Sequence, residues 1–242
     1  MQKIILFFMA MTFAAPVYAI DGDQLLKKVD RNLNPEAYES YRKLINLEPD
    51  GRKREFILFT VKKGEDRVAS LFLSPASEKG RSTLRLGENM WLYIPNVGKP
   101  IRITSIQSVV GGVFNNADIL RLDYTSEYKV SKVEESGDQY LLHLKARTKA
   151  VAYDKLKMWV DKSASLPTQV ECLTEADMLI KTLYFKKVKD FGEGILQPSV
   201  IETDSPLYKD YKSIMIFAKI KARDLPDEAF TLNFLPRVKS LR

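Results

Sequence analysis

Apolar residues along this chain recur first with a helical spacing and then with a strand spacing. Leu25, Leu26, Val29 and Leu33 share one face of a 3.6-residue repeat, which predicts an N-terminal helix that Asp21 or Asp23 can cap. Asn34-Pro35 interrupts it, and Tyr38, Tyr41, Leu44 and Ile45 predict a second short helix. From Arg54 onward the chain becomes a succession of short alternating or apolar runs separated by turn residues. They predict strands at Arg54–Lys62, Val68–Leu73, Thr83–Leu86, Met90–Ile94, Ile101–Thr104, Leu120–Tyr124, Tyr128–Glu134, Tyr140–Arg147, Lys155–Val160, Leu166–Leu173, Met178–Val188, Leu196–Glu202 and Lys212–Ala222. Lys63-Gly64-Glu65-Asp66, Glu135-Ser136-Gly137-Asp138 and Gly192-Glu193-Gly194 join such runs at hairpin length. No long helical pattern lies between successive strands, which disfavours a parallel sheet of βαβ units. The expectation is one large antiparallel sheet with helices at its N-terminus, with neither linker nor repeat after Arg54 to mark a second domain.

Several strands are apolar on both faces. In the first, Phe56 and Leu58 face one way and Ile57, Phe59 and Val61 the other. Met90, Leu92 and Ile94 oppose Trp91 and Tyr93, and Ile214, Ile216, Ala218 and Ile220 oppose Met215 and Phe217. A sheet with one wet face would alternate cleanly, so these strands need apolar company on both sides. Two arrangements satisfy that: a solid core covered on each side, or a sheet curled around a cavity. An open apolar trough would need a greasy ligand or a cover, because large exposed apolar patches are rare on soluble monomers.

The first nineteen residues change the setting. Lys3, the apolar run Ile4 to Phe13 and the small-residue ending Val17-Tyr18-Ala19 have the three-part form of a cleaved export signal, and about ten apolar residues are too few to span a bilayer. Cleavage after Ala19 would leave a chain of 223 residues (242 − 19) starting at Ile20, without a cysteine to lipidate there. Loss of Lys3 leaves 37 basic and 31 acidic residues, a net charge of +6, which suits anionic lipid head groups or simple solubility. Export and the lack of a basic recognition block make nucleic acid a poor partner. Cys172 is the one cysteine, so an internal disulfide is excluded, and its place in an alternating apolar stretch predicts a small buried hydrophobe.

Catalytic chemistry finds little to build on. His143 is the single histidine, set among leucines in a strand, so a zinc site of nitrogen and sulfur ligands lacks material. No nucleophile elbow and no phosphate-cradling glycine loop occurs. The expectation is a protein that is not an enzyme and that needs no metal or cofactor.

Three stretches resemble one family. They are TLRLGENMWLYIPNVGKPIRIT at residues 83–104, carrying Trp91, Tyr93, Pro95 and Arg102; KLKMWVDKSASLPTQVE at 155–171, with Trp159-Val160-Asp161 leading to Pro167; and LPDEAFTLNFL at 225–235, with Phe230. In order and spacing they resemble the outer-membrane lipoprotein-sorting (LolA-like) proteins, in their broader branch more than the dedicated lipoprotein chaperone. The resemblance implies a mainly β fold with α: a strongly curved antiparallel sheet, an incomplete β-barrel, whose concave side N-terminal helices cover. Residues 20–242 would be one such domain. It implies a cavity for acyl chains of a lipoprotein or lipid, the periplasm of a Gram-negative bacterium, and carriage from an inner-membrane exporter to an outer-membrane acceptor with transient, unanchored membrane contact. The energy scale fits, since about fourteen methylenes are worth on the order of 10 kcal/mol of gross transfer.

Within that frame the expected cavity lining is Phe56, Leu58, Leu71, Leu73, Leu92, Ile94, Ile214 and Ile216, a set that a one-residue register error would turn inside out. Trp91, Arg102 and Trp159 are expected at the mouth, and Gly111, Gly112 and Phe114 in a mobile loop, Ser105–Ala117, acting as a lid. A second function stays open, a periplasmic sensor that binds a membrane protein in response to lipid or lipoprotein stress.

Overall fold

A computed structural model describes residues 20–242, so the proposed signal, residues 1–19, lies outside the described residues. Helix α1 (Gly22–Leu33) is followed by β1 (Ala37–Leu47), β2 (Lys53–Lys63), β3 (Arg67–Ser74), β4 (Ser82–Leu86), β5 (Asn89–Tyr93) and β6 (Ile101–Ile103). Two single-turn helices, α2 (Asn116–Ile119) and α3 (Tyr124–Glu127), come next. The chain then returns through β7 (Tyr128–Ser136), β8 (Gln139–Ala146), β9 (Lys155–Asp161), β10 (Pro167–Leu173), β11 (Leu179–Asp190), β12 (Leu196–Asp204) and β13 (Lys212–Ala222), and ends in 3-10 helices Asp227–Phe230 and Leu232–Leu241.

All thirteen strands form one curved, unclosed antiparallel sheet in the order β6-β5-β4-β3-β2-β1-β13-β12-β11-β10-β9-β8-β7. Two meanders are laid down in opposite directions and meet where β13 pairs with β1. The free edges are therefore β6 and β7, and residues 104–127, which we call the plug, run from one edge to the other.

Alternate residues separate two interiors. Leu44, Phe56, Leu58, Phe72, Met158, Val170 and Met215 point into the concave side and share a core with Leu26, Val29 and Leu33 of α1 and Phe114 and Ile119 of the plug. On the convex side Phe59, Val61, Ala69, Leu71 and Leu84 meet Phe230, Phe234, Leu235 and Val238 of the C-terminal 3-10 helices. Strands β2 to β4 are thus sandwiched, which explains their two-sided greasiness. The third family motif, around Phe230, is the strap that covers their back.

Two expectations fail. Residues Tyr38 to Ile45 belong to a strand, β1, not to a second helix. Their 3- and 4-residue spacing arises because β1 is buried on both faces: Tyr38 and Leu44 look into the concave core while Tyr41 looks into the convex one. Leu120–Tyr124 is not a strand but the link from α2 into the first residue of α3, its leucines apolar because they lie under the sheet. The N-terminal helix is as expected, with Asp21 as its cap, accepting from the Asp23 and Gln24 amides at 3.0 and 3.1 Å. It sits close to β7, where a Cβ on Gly22 would lie 2.6 Å from a Val130 methyl.

Candidate functional site

The concave trough is floored by apolar strand residues and roofed by α1 and the plug. Polar ties add to the apolar packing of the roof. Three carboxylates of the plug each meet a cation rising from the sheet: Asp118 with Lys181 at 2.6 Å, Asp123 with Lys62 at 2.7 Å, and Glu127 with Arg85. Lys181 also donates to the Val113 carbonyl at 2.7 Å, and Arg85 to the Leu120 carbonyl at 3.2 Å. Arg42 of β1 donates to the Ile119 carbonyl at 3.0 Å, closing the last turn of α2, and to Thr60. From the other side Asp30 of α1 accepts from the Tyr124 and Thr125 amides at 2.8 and 2.9 Å, and so caps α3 from a different element.

The front of the plug is bound as tightly. Ser213 Oγ donates to Asn46 Oδ1 at 2.8 Å and accepts from the Val113 amide at 2.9 Å. Asn115 forms a capping box with Asp118, and its amide donates to the Tyr153 hydroxyl at 2.7 Å. Gly112 is a requirement of this fit, because a Cβ there would stand 2.3 Å from Asn46 Oδ1. The segment expected as a mobile lid lies over the trough and is tied to it at these points.

Between floor and cover, gaps of about 40 and 30 Å³ lie among the described residues, each large enough for a few waters and too small for an acyl chain. Both are bordered by Phe114, Asp118, Arg121 and Ile201. The first is also lined by Tyr124, Tyr128, Tyr153 and Cys172, and the second by Arg42, Gln197, Met215 and Phe217. Burial pushes the Tyr124 hydroxyl up to about 12 and the Cys172 thiol well up, so both stay protonated and the thiol is unreactive. Burial likewise pulls Arg42 down to about 10, with the neighbouring Arg121 charge acting in the same direction. Arg42 remains a cation at neutral pH.

Asp30 makes the roof sensitive to acid. Desolvation raises its pKa from 3.8 to about 6, helped by the Asp123 charge and opposed by the α3 hydrogen bonds. A carboxyl raised on folding holds its proton more tightly in the native state. The penalty is therefore present above about pH 6 and is relieved as pH falls toward the unfolded value, a gain of up to about 3 kcal/mol. Urea midpoints compared between about pH 7.5 and 4.5 should move toward the wild type relative to Asp30→Asn as acid is added. Parallel curves for the two proteins would exclude this account.

The sequence-predicted residues divide between the faces. Phe56, Leu58 and Phe114 lie in the concave core, and Leu92 shares that face with its cross-strand partner Thr83. Leu71 and Leu73 pack on the convex side with the C-terminal strap. Ile214 and Ile216 alternate with Ser213, Met215 and Phe217 and so face away from the trough, and Ile94 lies just past the end of β5. Trp91 is on the convex face under the Arg102 guanidinium, 5.4 Å from the ring centroid, and Arg102 donates to Asn89 Oδ1. Trp159 alternates with buried Met158 and Val160 on the opposite face. Gly111 abuts Arg54 at the rim, and Gly112 lies against buried Asn46. His143 pairs with Glu134 across β7 and β8 at 2.7 Å. Sequence reasoning missed Arg42, Arg121 and the three carboxylate–cation ties. The available signal was a charged residue at a strand position whose neighbours on the same face are buried, as with Lys62 after Phe56 and Leu58.

A family model described as "uncharacterized protein" matches residues 64–237. A search of curated proteins returned no match. Among solved structures, a LolA superfamily protein from Nitrosomonas europaea is 26% identical with a TM-score of 0.80, over 89% of this chain and 100% of that one. A DUF1329 family protein from Desulfovibrio piger is 22% identical with a TM-score of 0.77, over 88% and 97% of the two chains. A domain from Vibrio parahaemolyticus assigned to outer membrane lipoprotein sorting is 18% identical with a TM-score of 0.74, over 89% and 98%. The half-barrel is the fold of these structures, and the chain belongs to the matched family and has a LolA-like fold.

Proposed function

We propose that residues 20–242 act in the periplasm as a carrier rather than an enzyme. The trough takes up acyl chains of a lipoprotein or lipid when the plug moves aside, and the loaded protein moves from an inner-membrane exporter toward an outer-membrane acceptor. The observation that supports this is the construction of the roof. An apolar floor is covered by a segment that adds polar ties to its apolar packing, and polar ties can exchange partners with water when the segment lifts. The exposed floor is then satisfied only by hydrocarbon, at roughly 0.8 kcal/mol per methylene. The lining under this reading is Phe56, Leu58, Phe72, Leu92, Met215 and Phe217, with Phe114 as the residue that vacates the space and Arg42 as the clip on α2. The likeness to a domain assigned to lipoprotein sorting supports the same class of cargo.

The test is direct. Protein purified from periplasmic extract and examined by native mass spectrometry should carry lipid or lipoprotein, and after delipidation it should bind a fluorescent fatty-acyl probe that a lipopeptide displaces. Delipidated, folded protein that binds neither probe nor lipopeptide would overturn the carrier reading.

A further inference from the structure

Two cations, Arg42 and Arg121, line the gaps beneath the plug, near the cations Lys62, Arg85 and Lys181 and the carboxylates Asp30, Asp118, Asp123 and Glu127. Each carboxylate is already engaged, three by ion pairs with Lys62, Arg85 and Lys181 and Asp30 by the α3 amides. Arg42 and Arg121 are left, among the described residues, with no carboxylate in ion-pair distance. Their company is aromatic: Arg42 lies 5.8 Å from the Phe217 centroid, and Arg121 lies 5.6 and 5.9 Å from those of Tyr124 and Phe185. Ring faces offset only part of the cost of keeping a cation out of water. Donors along the same gaps are also idle. Arg42 Nε, Gln197 Nε2 and the Tyr124 hydroxyl are each buried without a partner, and Arg121 borders both gaps. Arg121 borders both gaps, with the idle Tyr124 hydroxyl on one and Arg42 Nε and Gln197 Nε2 on the other, and these groups around it form a receptor for one negative charge.

We infer that the trough takes the head as well as the tail of its cargo: a single-chain amphiphile with a monoanionic carboxylate, that is a long-chain fatty acid, whose carboxylate rests on Arg121 beside Tyr124 while the chain fills the space left by Phe114. This inference rests on the carrier reading and narrows its cargo. A lipoprotein anchor brings no carboxylate next to its acyl chains and would leave these donors unmet.

Delipidated protein at about pH 8 should bind palmitate at least about tenfold more tightly than hexadecanol, which has the same chain without the charge. Arg121→Met should remove that preference and keep the hexadecanol affinity, and Arg121→Lys should restore part of it. The melting temperature of Arg121→Met without ligand is measured alongside, and retention of the hexadecanol affinity shows that the variant is folded. Equal affinities of the wild type for acid and alcohol would overturn the inference and leave the carrier reading standing. So would a palmitate preference that survives Arg121→Met, or acetate binding as tightly as palmitate. Failure of palmitate, hexadecanol and a lipopeptide alike would instead count against the carrier reading itself.

Discussion

Lys181→Met is expected to destabilise the roof by about 3–5 kcal/mol, because it strands Asp118 in a buried site without its counter-charge. The side chains of both partners are almost wholly buried, at 4% and 6% exposure, so solvent cannot substitute for the lost ammonium. The Val113 carbonyl loses its donor at the same time. Asp118 would keep only the Asn115 amide at 2.8 Å and the Tyr153 hydroxyl at 3.0 Å, which is too little to hold a full charge. Methionine retains the volume of the stem, so the change reports on charge and not on a cavity. Denaturant midpoints and hydrogen exchange at plug amides measure the loss, and Asp118→Asn added to Lys181→Met should recover part of it. A loss below about 1 kcal/mol would mean that this pair does not fasten the plug.

A plug that cannot move should abolish loading. The Cβ built on Gly112 lies 2.6 Å from Asn46 Cγ, close to where the sulfur of a cysteine at position 46 would stand, so Asn46→Cys with Gly112→Cys brings two thiols within bonding reach. Once oxidised, the pair ties the front of the plug to β1. The open state is removed from the ensemble, and apparent acyl affinity should fall by more than about a hundredfold, since affinity scales with the population of the competent state. Dithiothreitol should restore it, which separates the lock from the loss of Asn46 hydrogen bonds. Cys172, buried beneath the roof, stays out of the exchange. An oxidised variant that still loads would show that cargo enters without displacement of residues 109–113.

The sheet itself was legible because twelve of its strands keep a local signature, either alternation or an apolar run bounded by Gly, Asp and Ser turns. β1 was hidden by its position. It is the seam between the meanders, so neither face is wet, and its tyrosines and leucines mimic a helical stripe. The plug misled in the opposite way. Leu120 and Leu122 are apolar because they are roofed over, not because they pair in a sheet. The division of the candidate lining has one cause. Choosing a face on β2 does not choose it on β3 or β13, since that depends on pairing, and pairing shifts at Ile57/Leu58 and at Tyr41/Arg42. Phe59 therefore lies opposite Leu71, which carries Leu71 to the convex side together with Phe59. The polar ties were illegible because each joins residues far apart in sequence, Lys62 with Asp123 and Asp118 with Lys181, and no local pattern announces such a pair.

The plug leaves the last residue of β6 and enters the first of β7, the two rims of the open half-barrel. Cover and drawstring are therefore one piece of chain. In the carrier proposed above, a guest beneath it would take up slack or push the rims apart, which ties the gape of the jaws to the fullness of the trough.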